Sequence, residues 1–205
     1  MKLWTAITVA GILLAPLAGW TQDAGSADES AFLKAIDENP KNEDAYNQLM
    51  KLYNNQGKRK ERLKIALRAI QNLGGNSTLY VIVGDENKAL GENTKALISY
   101  QFALKLDPAN ANLYNRMGLC LLKLDSFHQA EAAFRAALYF GGGDGPQMRG
   151  VYYNNLAVCY EWRKDLPGAY KLFQKAVSLY PEYDVANSNV ARISEELRKQ
   201  GIQIN

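Results

Sequence analysis

Apolar and small residues recur along this chain in a fixed order. Tyr80, Val83, Gly84, Ala96, Tyr100, Ala103 and Pro108 return 34 positions later as Tyr114, Met117, Gly118, Ala130, Phe134, Ala137 and Gly142. They return again, 39 positions further on, as Tyr153, Leu156, Ala157, Ala169, Phe173, Ala176 and Pro181. Within each set the apolar positions fall three and four apart, the spacing of one helix face. Each unit therefore predicts two helices of about three turns, with small residues where the two come closest and an aromatic filling the space beyond them toward the next unit. Proline closes the second helix, because it lacks an amide and clashes with the preceding turn. Units of this kind bury their apolar faces by stacking side by side, so the pattern predicts an all-α solenoid.

The full units run 43–76, 77–110, 111–144 and 150–183. The first is the loosest, with Met50 and Arg62 where the others carry small residues. Before them, residues 20–27 read as a linker and 28–40 as a half unit, since Phe32, Ala35 and Pro40 keep the spacing of Tyr100, Ala103 and Pro108. After them, 184–199 reads as a capping helix with Val185, Val190, Ile193 and Leu197 on its buried side, ended by Gly201; 200–205 is a tail. Gly141-Gly142-Gly143-Asp144-Gly145-Pro146 spans a five-residue insertion between the third and fourth units and reads as a flexible joint. It lacks the lysine and hydroxyl residue of a phosphate loop and follows no strand.

Composition narrows the chemistry. Of 205 residues 47% are hydrophobic and 22% charged, enough for one domain with a real core. A net charge of +3, without a long basic run, speaks against nucleic acid as a partner. One histidine, His128, gives neither a metal site nor a catalytic triad, and no cofactor is implied. Glu92, Glu131 and Glu161 are scattered and read as solvated, so no catalytic residue is assigned. Cys120 and Cys159 occupy the same place in successive units. Equivalent packed helices lie about 8–10 Å apart, beyond the roughly 7 Å that a disulfide bridges; two separate buried thiols are expected.

The amino terminus carries an address. Lys2 precedes an apolar run to Gly19 and the chain then turns polar, the form of a secretory signal peptide at 1–19. Cleavage after Gly19 is expected, with Ala18 and Ala24 as alternatives, which places the mature chain in the periplasm or outside the cell. An uncleaved anchor is the other reading, because the run approaches the ~20 residues a bilayer needs. Leu17-Ala18-Gly19 resembles the start of a bacterial lipoprotein cleavage box, but Trp20 stands where that box requires cysteine, so no lipid anchor is expected.

In its repeated residues the chain resembles the tetratricopeptide repeat family, over about 155 residues. The resemblance implies a right-handed α-solenoid whose concave face is lined by the first helix of each pair and holds a peptide or helix of another protein. The positions it turns into that groove are Asn47 and Lys51; Asn112, Asn115, Arg116 and Leu119; Asn154, Asn155, Val158 and Trp162; and Asn189 and Arg192. Asparagine amides donate and accept at once, so a row of them suits an extended backbone; Leu119, Val158 and Trp162 add apolar area. The family's clamp for a chaperone's carboxylate tail is met only at Arg116 among Asn47, Lys51, Ile82, Asn112 and Arg116, so Hsp70 or Hsp90 tail capture is not implied. Two functions remain open: an interaction scaffold of a bacterial envelope with a protein in its groove, or a permanent structural subunit of an envelope assembly. Either takes a membrane-tethered form if the amino terminus stays uncut. Fold alone does not choose between them, and the oligomeric state is not legible.

Overall fold

The computed structural model describes residues 20–203, so the expected signal peptide, its cleavage site and the last two residues of the tail lie outside the described residues. Among the described residues ten α-helices follow one another, each packed on the next: α1 (Trp20–Glu38), α2 (Glu43–Asn55), α3 (Arg59–Leu73), α4 (Ser77–Ala89), α5 (Asn93–Leu106), α6 (Ala111–Lys123), α7 (Phe127–Phe140), α8 (Pro146–Trp162), α9 (Leu166–Leu179) and α10 (Asp184–Lys199). The pairs α2–α3, α4–α5, α6–α7 and α8–α9 are the four full units. Among the described residues no helix is long and apolar enough to cross a membrane.

The 34-residue period fixes the ends of the helices as well as their faces. Asn42, Asn76 and Asn110 each cap a first helix, the side-chain oxygen accepting from the amide three residues on at 3.1, 2.8 and 3.2 Å. Each first helix then ends with one residue at positive φ: Gly57 (67°), Gly91 (82°), Asp125 (54°) and Lys164 (65°). The following amide reaches back to a carbonyl five residues earlier, Lys58 to Tyr53 at 2.9 Å and Asp165 to Tyr160 at 3.0 Å, which satisfies orphan carbonyls and turns the chain into the second helix. Gly201 (72°) and the Ile202 amide end α10 in the same way, so α10 is a first helix without a partner.

Inside each hairpin the aromatic of the second helix lies over the small residue of its own first helix. A Cβ on Gly84 would collide with the Tyr100 ring, and one on Gly118 with Phe134. The expectation that these rings mainly fill space toward the next unit is corrected in part: each serves its own hairpin first, while Leu113 and Cys120 of the next unit close over Tyr100. Tyr100, Phe134 and Phe173 are fully buried, each contributing about 1.5–3 kcal/mol relative to exposure.

Four further expectations are corrected. The linker at 20–27 is helical and continues into the half unit. It contains no proline, and a lone glycine costs a helix only about 1 kcal/mol. The insertion is not a loose joint: Gly141–Gly143 form a 3₁₀ turn, Pro146 opens α8 one turn early, and the Tyr152 hydroxyl donates to Asp144 at 2.8 Å. Val185 is exposed, and Ala186 takes its place in the core beside Ile193 and Leu197. Glu131 is buried between Arg135 (2.9 Å) and Arg163 (3.2 Å). In the loose first unit Arg62 reaches across to the next unit, where it and Arg59 flank the buried carboxylate of Glu86.

Candidate functional site

The first helices α2, α6, α8 and α10 carry all twelve residues expected in the groove, and the structure sorts them into three groups. Asn47 and Lys51 on α2 are exposed and make no ion pair among the described residues. Asn115, Asn154 and Asn155 are buried, and their amides are joined to each other. Asn155 donates to Asn115 at 2.8 Å, Asn154 to Asn155 at 3.3 Å, and Asn189 to Asn154 at 3.0 Å. Arg192 extends the line by donating to Asn189 at 3.2 Å and holding Glu161 through both nitrogens at 2.6 and 2.7 Å. This ladder ties α6 to α8 and α8 to α10. The sequence assigned these amides to a partner's backbone; the fold uses them to satisfy buried polar atoms between helices, which would otherwise cost about 1–3 kcal/mol each. Likewise Arg116 accepts its role from within the chain: it donates to Asn112 at 3.0 Å and pairs with Asp85, which also accepts from the Tyr100 hydroxyl at 2.7 Å.

Leu119, Val158 and Trp162 form the third group: Leu119 and Val158 pack partly against the core beneath them and leave the rest of their surface open. Leu119 and Val158 line an open cavity of about 620 Å³ together with Leu122, Phe127, Gly91, Asn93, Lys88 and Lys123. Trp162, 43% exposed, stacks on Phe127 with ring centroids 4.3 Å apart and meets His128 edge-on at 5.4 Å. The sequence reading missed Lys88, Leu122, Lys123 and Phe127. The signal was available: Leu122 and Lys123 follow Leu119 by three and four residues, and so extend the same helix face by one turn. What hid them was a register that stopped the groove at Leu119 on α6 and left out Phe127, which lies on a second helix.

The chain matches three family models, described as TPR repeat over residues 84–125 and as tetratricopeptide repeat over 111–140 and 150–183. The last two fall on the hairpins α6–α7 and α8–α9, and the first runs from within α4 through α5 and α6. The chain belongs to the tetratricopeptide repeat family. No curated protein matches it in sequence. Its fold is similar to that of YrrB, described as a TPR protein with an unusual peptide-binding site: TM-score 0.69, 19% identity, 82% of this chain and 84% of that one covered. It is similar to MamA at TM-score 0.68 and 20% identity, over 83% of this chain and 98% of that one. The first TPR of Spaghetti (RPAP3), solved with an HSP90 peptide of sequence SRMEEVD, matches at TM-score 0.54 and 19% identity, over 60% of this chain and 93% of that one.

In this tetratricopeptide repeat chain the remaining candidate groups are structural. Cys120 and Cys159 are free and buried. Burial pushes both thiols up, that of Cys159 to about 12, with nearby Glu131 adding to the shift; neither is poised as a nucleophile. The second helices show a different surface. Ile98, Phe102 and Leu106 succeed one another at four-residue spacing on α5 with large exposure, and Tyr139 on α7 is 80% exposed. A cavity of about 450 Å³ opens between α5, α6 and α7, lined by Leu97, Met117 and Leu121 among others.

Proposed function

We propose that this tetratricopeptide repeat protein is a non-catalytic interaction scaffold of a bacterial cell envelope, holding a peptide or helix of a partner protein in the groove of its first helices. The observation that carries this reading is the cavity walled by Leu119, Leu122, Phe127 and Val158. These four side chains are apolar, the cavity volume falls in the 300–1,000 Å³ range typical of ligand sites, and no segment of the described chain fills it. The envelope assignment rests on the apolar amino terminus alone and is tested by mass spectrometry of the mature protein. A mass beginning at Trp20 supports secretion; an intact Met1 in the membrane fraction supports the tethered form.

The groove is tested by replacing Leu119 and Val158 with Asp in the full chain. Both are half-buried and lie outside the polar ladder. Affinity capture from the native envelope, quantified against wild type at a temperature where circular dichroism shows both proteins folded, should lose partners specifically. Unchanged capture would remove the groove from consideration. A second reading has its own observation: the Ile98, Phe102 and Leu106 stripe suits permanent packing of the second-helix face into an assembly. Ser at Ile98 and Phe102 should then release the protein from a large complex on size exclusion, with the Asp variants unaffected.

A further inference from the structure

The described fold distributes its carboxylates unevenly along the first-helix face. Arg116 is neutralised by Asp85, Arg163 by Glu131 and Arg192 by Glu161, and from the neighbouring second helix α3 Arg59 and Arg62 both pair with Glu86 of α4. Lys88 and Lys123, at the rim of the 620 Å³ cavity, have no ion-pair partner among the described residues. No carboxylate lines the cavity, and Glu92, in the turn beside Gly91, is held by Lys95 at 3.3 Å. Two lysines thus stand at the rim of an apolar floor with no ion-pair partner among the described residues. Such an arrangement raises the local concentration of anions beside a cavity in which an apolar side chain can be buried.

We propose that the cavity between α4, α6 and α8 receives an acidic peptide segment with a large apolar side chain, which enters between Leu119, Leu122, Phe127 and Val158 while flanking carboxylates pair with Lys88 and Lys123. This rests on the groove reading above and adds the chemistry of the occupant. The cavity is too wide for a methyl group alone and fits a leucine, methionine or phenylalanine side chain together with adjoining backbone. A basic segment is disfavoured by the same two lysines, so the site discriminates by repulsion as well as attraction. Trp162, stacked on Phe127 at the cavity edge, reports occupancy through its indole N–H.

The test uses fluorescein-labelled peptides in which leucine or phenylalanine is flanked by aspartates, beside counterparts flanked by lysines and counterparts with alanine at the centre. Fluorescence polarisation with the wild-type protein should show the acidic, apolar-centred peptides binding about tenfold or more tighter than either counterpart, a difference of roughly 1.4 kcal/mol. Their advantage over the lysine-flanked peptides should shrink as salt is raised from about 0.1 M to about 1 M. Occupancy should shift the Trp162 indole resonance. Lys88→Glu with Lys123→Glu should reverse the preference, and Lys88→Gln with Lys123→Gln should abolish it should the acidic pair perturb folding. Lys51→Glu, on the same face but away from the cavity, should change nothing. Equal binding of acidic and lysine-flanked peptides, with binding still lost in Val158→Asp, overturns the charge inference and leaves the groove reading standing. Binding that survives Val158→Asp, or no binding of any peptide, overturns the proposed occupant, and a partner capture likewise indifferent to Val158→Asp overturns the groove as well.

Discussion

Lys164 occupies a left-handed backbone conformation that glycine supplies in two of the other three hairpins. Gly57 and Gly91 take it freely, Asp125 is of a type that tolerates it, and Lys164 carries a Cβ that crowds the following carbonyl. Lys164→Gly is therefore expected to raise stability by up to about 1 kcal/mol, net of the extra unfolded-chain entropy of glycine. The same change at an exposed, right-handed position should lower it, and thermal melts of the two variants make the comparison. A second residue-scale prediction concerns the thiols. The Cys159 thiol is raised to about 12 by burial, so its neutral form is favoured in the folded chain. Native protein at about pH 8.5 should react slowly with Ellman's reagent and fully once denatured, because an unfolded thiol titrates near that pH. The sign for stability follows. The unfolded chain loses this proton first, so the contribution is whole below the ordinary thiol range and declines as pH rises through it toward the folded value. Equal reaction rates in native and denatured protein would contradict the burial.

At the scale of the element, a hairpin is held by the fit of one ring against one missing side chain. Gly118 offers Phe134 a surface that even a methyl group would invade. Gly118→Ala should cost about 1–3 kcal/mol by overpacking, and Gly118→Ala combined with Phe134→Leu should recover part of it. A melt indifferent to Gly118→Ala would count against this packing. These features were legible in the sequence because they are local. The glycine and the aromatic sit 16 residues apart in both the second and third units, and helix periodicity alone brings them face to face. The helix α1 was underestimated for a related reason: Ala24-Gly25-Ser26-Ala27 looks like a linker by composition, yet nothing in it forbids a helix. Docking of Ile36 and the Phe32 face on the first unit, with Glu29 held by Lys58 at 2.8 Å and by the Tyr53 hydroxyl at 3.0 Å, anchors its carboxyl-terminal half.

Across the whole molecule, coupling between units is carried by polar groups as well as by packing. Asn115 and Asn155 lie 40 residues apart in sequence and bond at 2.8 Å, and Arg116 and Asp85, 31 apart, pair across adjacent first helices. A double-mutant cycle with Asn115→Ala and Asn155→Ala should give a coupling of about 0.5–1.5 kcal/mol; strictly additive losses would show that the ladder is incidental. The amino-acid sequence by itself determined the period, the pairing of helices, the small-on-aromatic contacts, the cap at the carboxyl end and the isolation of the two cysteines. Each depends on residues within one unit or on a spacing repeated three times. Tertiary structure alone decided which asparagines and arginines stay available to a partner. An amide at a groove offset looks the same whether it faces water or a neighbouring amide, and only the approach of α6, α8 and α10 turned three of them inward. The same approach left Leu119 and Val158 over an open cavity with Lys88 and Lys123 unpaired at its edge, because that lining is assembled from residues of five different helices and the turn between two of them.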